Sequence, residues 1–169
     1  ALSRPCYFSA VAVDCGIFDG CVAGAVSSSA EVLRGALRGI GIKKGSTKVS
    51  SFVIMETPIT EYGNNGVFFM ADVAINPKPD AETLAEIAIA TADSYKLLIN
   101  DEPYVALLSY STMKSAEGDS VDICRNALEM VKIKRKDIII DGELQFDAAL
   151  LKDVGKRKAP ESKVAGNAN

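Results

Sequence analysis

The chain has 169 residues, 48% of them apolar and 24% charged, with a formal net charge of −3. That suits one ordinary globular domain with a full core. It excludes a membrane-spanning stretch of about 18 apolar residues, and without a basic run it disfavours a general nucleic-acid binder.

Histidine is absent. Ser-His-Asp and Cys-His machinery and His-containing zinc sites are therefore missing from these residues. Any proton transfer they carry falls to Asp, Glu, Lys, Tyr or Cys. Cys6, Cys15, Cys21 and Cys124 show no C-x-x-C spacing and read as reduced thiols. The opening ALSRPCYF has no basic region followed by an apolar one, so it does not read as a signal peptide. The missing initiator Met and the loop-like close VAGNAN (164–169) are expected of a fragment.

Periodicity gives the elements in order. Pro5 to Cys15 reads as a short apolar helix and Gly20 to Val26 as a buried strand of small residues. Ser29 to Ile40 is helical, ended by Gly39 and Gly41. A strand around SFVIM, within Thr47 to Glu56, precedes the turn EYGNNG (61–66) and a strand from Val67 to Ile75, a hairpin pattern. Pro77 and Pro79 stop that strand. Asp80 then caps a helix with Leu84, Ile87, Ala88, Thr91, Tyr95 and Leu98 on one face. A strand from Tyr104 to Ser109 follows, then a helix from Ser120 to Lys134 facing inward through Val121, Cys124, Leu128 and Val131. A strand from Ile138 to Asp141 and a helix from Phe146 to Val154 complete the series. The alternation predicts a layered α/β domain with a mostly parallel sheet, to which the hairpin adds an antiparallel element.

The run LLSYSTMKSAEG (107–118) passes from a buried strand through a hydroxyl-rich loop into a helix. α/β proteins bind phosphate with such loops, through free N–H groups and the positive end of the helix dipole. The G-x-x-x-x-G-K-[ST] spacing of a Walker loop is absent. Ser111 and Thr112 are candidates for phosphate contact, and plain helix capping is the alternative.

Four stretches together resemble the phosphate acetyl/butyryltransferase family. They are FDGCVAGAVSSSAEVLRGAL (18–37), GVFFMADVAINPKPDAETLAEIAI (66–89), VALLSYSTMKSAEG (105–118) and DGELQFDAAL through KAPESKVAGNAN (141–169). The resemblance covers nearly the whole chain. It implies reversible transfer of an acetyl group between coenzyme A and inorganic phosphate, with acetyl-CoA, CoA, phosphate and acetyl phosphate as substrates and no resident cofactor. It further implies a cytoplasmic homodimer. The implied fold is a three-layer α/β domain with a mostly parallel mixed sheet, like the isocitrate/isopropylmalate dehydrogenases. Residues 1–169 then correspond to the second domain. The family's N-terminal domain and its C-terminal segment lie outside them. That segment carries the Ser-Arg pair and the Asp thought to deprotonate the CoA thiol, so these residues alone are expected to be inactive. Ser3-Arg4-Pro5-Cys6 only imitates the Ser-Arg motif, because the flanking residues match an upstream helix.

Among the residues present, Arg34 matches the arginine of the family's T-L-R-P stretch, implicated in binding CoA or phosphate. A guanidinium near the Ser27-Ser28-Ser29 helix start could also share an anion bidentately on chemical grounds; a solvated arginine or a helix ion pair with Glu31 is the rival. Ser28 and Ser29 either bind phosphate or cap the helix. Gly35 stands in place of the family's Pro, Ser27 where a His is frequent, and Thr60 where some members carry a Cys near the site. Asp141, Glu143 and Asp147 form an acidic cluster that could hold Mg²⁺, but a structural role is preferred and no metal is expected. Lys158 reads as a solvated lysine. Two other functions fit the pattern: the regulatory acetyltransferase-like domain of a malic enzyme, and phosphate butyryltransferase.

Overall fold

A computed structural model describes residues 2–169, which divide into two compact units, one ending at Thr47 and the other Lys48–Asn169.

The first unit is a pair of helices, α1 (Pro5–Asp14) and α2 (Ser29–Gly39). Pro5 opens α1, where its missing N–H costs nothing. Gly35 and Gly39 let the helices touch. A Cβ at Gly35 would lie 2.7 Å from the Cys6 carbonyl oxygen, and one at Gly39 would lie 2.6 Å from the Ala10 Cβ. Gly35, where the family has Pro, thus has a packing role that its place in the sequence does not reveal. The expected strand from Gly20 to Val26 does not form. These residues are exposed, Val22 and Val26 completely so. An apolar run becomes a strand only beside a partner ladder, and there is none among the described residues of this unit.

The second unit holds two separate two-stranded sheets. Strands β1 (Phe52–Glu56) and β2 (Val67–Ala71) form the expected antiparallel hairpin, with Phe52 opposite Ala71 and Glu56 opposite Val67. Its connecting loop turns through positive φ at Gly63, Asn65 and Gly66. Helix α3 (Ala81–Ile99) starts where Asp80 accepts a 2.8 Å hydrogen bond from the Thr83 N–H and ends at left-handed Asn100. Of its expected inner face, Ile87, Ala88 and Tyr95 are buried, whereas Leu98 is exposed.

Strand β3 (Tyr104–Leu108), helix α4 (Asp119–Lys134) and strand β4 (Ile139–Leu144) make a β-α-β unit with parallel strands. Alternate residues face opposite ways. Leu107 and Ile140 meet α3 and α4 through Ala88, Ala92, Cys124 and Leu128. Ala106 and Ile139 meet a second cluster of Leu144, Ala148, Ala149 and Val164. Val121, Cys124, Leu128 and Val131 are all buried, as the periodicity of α4 predicts. The last expected helix is two, α5 (Phe146–Leu150) and α6 (Lys152–Lys158), because Leu151 is extended between them. The α/β class therefore holds. One continuous mixed sheet does not appear among the described residues. No described helix is long and apolar enough to cross a membrane.

Candidate functional site

The loop after β3 is built around one buried carboxylate. The β3–β4 register shifts between Leu107 and Leu108, whose partners are Gly142 and Leu144, so Glu143 drops out of the ladder. A bulge of this kind re-aims a side chain. Glu143, 2% exposed, points into the loop. Its Oε1 accepts from the Ser111 hydroxyl at 2.9 Å, the Lys114 N–H at 2.7 Å and Arg125 Nη2 at 3.1 Å, and its Oε2 accepts from Arg125 Nε at 3.0 Å. Burial acts to raise its pKa, but the hydrogen bonds from Arg125, Lys114 and Ser111 outweigh that and hold it at about 2.

All six amides from Ser111 to Ala116 donate to acceptors inside the protein: Ser109 Oγ, Ser115 Oγ, the Glu143 carbonyl, Glu143 Oε1, the Thr112 carbonyl and Ser111 Oγ. Ser111 and Thr112 are buried, and their hydroxyls are engaged as well. Glu117, Asp119 and Asp122 crowd the start of α4, which suits the helix dipole but opposes an approaching anion. In this conformation the loop is a pinned structure and not an open phosphate cradle. It places Met113 and Lys114 at left-handed φ of 46° and 69°, a conformation few non-glycine residues adopt. The sequence signal for Glu143 was its presence in DGELQFDAA, but nothing in the spacing revealed its burial.

The acidic cluster is likewise spoken for. Asp141 accepts from the Gly142 N–H at 3.0 Å. Asp147 and Gln145 Oε1 each receive Lys158 Nζ at 2.8 Å. The Lys158 hydrogen bond holds the Asp147 carboxyl below its usual range. Lys158 is thus a half-buried ion-pair partner and not a solvated lysine. Thr112 joins the same network by accepting from the Gln145 N–H at 2.9 Å. Among the described residues no group of three His, Cys, Asp or Glu could hold a metal ion. Cys124 offers no reactive thiolate, since burial and the nearby Glu143 charge push its pKa up.

A second carboxylate organises the ADVAINP stretch. Asp72 accepts from the Ser51 hydroxyl, from the N–H groups of Ala74 and Ile75 at 3.0 and 3.1 Å, and from Asn76. Burial opposes its ionisation, yet these donors hold it well below the usual carboxylate range.

The remaining candidates lie apart from these networks. In the first unit, the Ser28 Oγ caps α2 by accepting from the Glu31 N–H at 3.3 Å, and Ser29 is the first helical residue. Arg34 is exposed one turn further on. Its Nε donates to the Ala30 carbonyl at 3.0 Å, and no ion pair to Glu31 forms. In the second unit Thr60 is exposed in the hairpin loop.

An α/β chain with a pinned loop after a parallel strand and no histidine is placed by comparison with known proteins. Residues 1–169 match along their whole length the family described as phosphate acetyl/butaryl transferase, and the chain belongs to that family. It is 50% identical over 163 residues to phosphate acetyltransferase of Thermoanaerobacterium thermosaccharolyticum, covering 96% of this chain and 50% of the relative. It is 48% identical over 165 residues to the protein of the same name from Clostridium acetobutylicum, covering 98% and 50%. The chain thus spans about half the length of these relatives. Among solved structures, a phosphotransacetylase from Streptococcus pyogenes superposes with a TM-score of 0.84 at 40% identity, over 96% of this chain and 48% of that one. A branched-chain phosphotransacylase from Enterococcus faecalis shares the fold, with a TM-score of 0.71 at 19% identity over 96% and 56%.

Proposed function

We propose that the chain is the second-domain part of a phosphate acetyltransferase, which moves an acetyl group reversibly between coenzyme A and inorganic phosphate: acetyl-CoA + phosphate ⇌ acetyl phosphate + CoA. The observation that carries this reading is the family match over all of residues 1–169, together with 50% identity to a relative of that name. CoA, acetyl-CoA, phosphate and acetyl phosphate are then substrates, and no resident cofactor is invoked. The cell's cytoplasm is the proposed location and a homodimer the proposed assembly, to be checked by light scattering at micromolar concentration.

Arg34 is the proposed anion contact. Its exposure and the single bond from Nε leave both Nη groups available for a phosphate fork. Ser28 and Ser29, at the start of the same helix, are proposed as further contributors, and Thr60 of the second unit as a substrate contact of its own. Ser111 and Thr112 enter by shaping the loop, since their hydroxyls are committed inside the protein. The parallel β3–β4 pair, with apolar clusters on both faces, supports a three-layer dehydrogenase-like sheet. By themselves these residues are proposed to be inactive, because they span only about half the length of the phosphate acetyltransferases they match.

The test is a polypeptide of the relatives' length containing this chain, offered acetyl phosphate and CoA, with butyryl phosphate in parallel. Thioester formation with acetyl preferred supports the reading. Preference for butyryl makes it a butyryltransferase. Acyl-CoA binding without turnover points to a regulatory module of the malic-enzyme kind.

A further inference from the structure

Two consecutive residues of the loop after β3 are strained. Met113 and Lys114 sit at φ of 46° and 69°. Among the described residues, the other non-glycine positions at positive φ are Asn65 and Asn100, and asparagine tolerates that region. A methionine and a lysine do so poorly, because Cβ crowds the following carbonyl oxygen. Glycine would escape the crowding. Strain of this kind persists only where the surroundings enforce it, and it gathers where ligands are met.

Here the enforcement is visible. The Met113 N–H donates to the Glu143 carbonyl at 3.0 Å, and the Lys114 N–H donates to Glu143 Oε1 at 2.7 Å. Arg125 fixes that carboxylate in turn. The Lys114 side chain is therefore exposed on a backbone that cannot drift. β3 ends at Leu108 and β4 at Leu144, so the loop stands at the carboxyl ends of two parallel strands. Open α/β sheets bind ligands at that edge. Because the loop amides are engaged, only side chains are left to meet one.

Lys114 forms no ion pair among the described residues. Two of the acids near the start of α4 are turned to Arg125: Asp122 meets it at 3.5 Å, and the Glu117 charge acts on it. The loop thus fixes the base of a cation and leaves its tip without a partner. An ammonium with three donors suits the oxygens of a phosphate group.

We infer that Lys114 is a second anion contact, in addition to Arg34, and that its ammonium takes a phosphate group of the acyl-transfer substrates. The identity of those substrates rests on the acyl-transfer reading. The phosphate belongs either to CoA or to the inorganic phosphate that accepts the acetyl group, and one cation serves both chemistries.

The test uses a polypeptide of the relatives' length containing this chain, unaltered and as Lys114→Gln, Lys114→Arg and Lys114→Gly. Calorimetric titration with CoA, and separately with inorganic phosphate, reads binding. Turnover of acetyl phosphate with CoA is measured alongside. Lys114→Gln is expected to weaken binding about 10-fold, as loss of one charge-assisted contact does. A loss for CoA alone assigns the contact to a CoA phosphate, and a loss for inorganic phosphate alone assigns it to the reacting phosphate. Lys114→Arg should recover most of the affinity, because it keeps the charge. Lys114→Gly separates binding from folding. It relieves the left-handed strain, so Tm is expected to hold or rise by about 2 °C while affinity falls as far as in Lys114→Gln. Affinities of Lys114→Gln within twofold of the unaltered protein for both ligands would overturn the inference. So would an unaltered protein that binds neither ligand, or a Lys114→Gly variant that keeps its affinity and loses several degrees of Tm. Binding that Lys114→Gln weakens, in a protein without turnover, would contradict the acyl-transfer reading and leave the anion contact standing.

Discussion

Arg125 grips Glu143 through two parallel hydrogen bonds, Nε to Oε2 at 3.0 Å and Nη2 to Oε1 at 3.1 Å. The carboxylate is buried, whereas the guanidinium keeps 29% of its side chain in solvent. The pair spans α4 and β4, and the same Glu143 Oε1 also holds the Ser111 hydroxyl and the Lys114 amide. One side chain therefore ties a helix, a strand and a loop together.

Removing the charge without changing the shape isolates that role. Glu143→Gln is expected to destabilise the fold by about 3 kcal/mol, the usual cost of breaking a buried ion pair from one side. In a domain of this size that is a Tm drop of about 10 °C. Calorimetry checks it, and a shift under 2 °C would show that the staple contributes little.

The same carboxylate sets an acid limit. The folded pKa of Glu143, about 2, lies below the ordinary value of 4.5. Its contribution to stability is therefore fully present above pH 4.5 and lost as pH falls from there through about 2. Asp72 and Asp137 are depressed as well and act in the same direction. Urea midpoints measured between pH 6 and pH 2 are expected to fall steeply over the lower half. In Glu143→Gln the fall should be shallower, with the residual slope belonging to the other depressed carboxyls, Asp72, Asp80, Asp137 and Asp147. An identical slope in both proteins would remove Glu143 from the acid transition.

Gly35 makes a prediction for the helix pair. Its missing Cβ lets α2 rest on the Cys6 backbone: a Cβ there would lie 2.7 Å from the Cys6 carbonyl oxygen. Gly35→Ala gains helix propensity but forces the helices apart, and backbone yields less readily than side chains. A net loss of about 1–3 kcal/mol is expected, typical of overpacking. A stability equal to or above that of the unaltered protein would mean that α1 gives way freely.

Arg34 is the position where the proposed chemistry meets a named residue. In the polypeptide of the relatives' length, Arg34→Gln is expected to lower kcat/KM for CoA or acetyl phosphate about 100-fold, near 3 kcal/mol of charge-assisted binding. Arg34→Lys should recover only part, because an ammonium lacks the fork. Tm should hardly move, since the side chain is exposed with one bond to Ala30. Unchanged kinetics with a lower Tm would make Arg34 structural.

How much was legible follows from what each residue depends on. Local signals were readable. Asp80 caps α3, Asn and Gly turn the hairpin, and Val121, Cys124, Leu128 and Val131 mark the inner face of α4. Glu143 was not readable, because its burial comes from a bulge and from an arginine 18 residues away in sequence. The Gly20–Val26 run misled because composition reports apolar demand but not whether a partner strand supplies the ladder. The loop after β3 stayed ambiguous for a related reason. Sequence shows which amides a loop has, and only the fold shows that six of them are already taken. Arg34 stood out through family resemblance, and the geometry adds that its outer nitrogens are accessible.

The central claim is acetyl transfer between CoA and phosphate, and isotope exchange tests it most directly. A polypeptide of the relatives' length containing these residues is incubated with acetyl phosphate and labelled inorganic phosphate, with and without CoA. The expected result is rapid movement of label into acetyl phosphate only when CoA is present, and none with residues 1–169 alone. Absence of CoA-dependent exchange in the folded longer protein would contradict the claim.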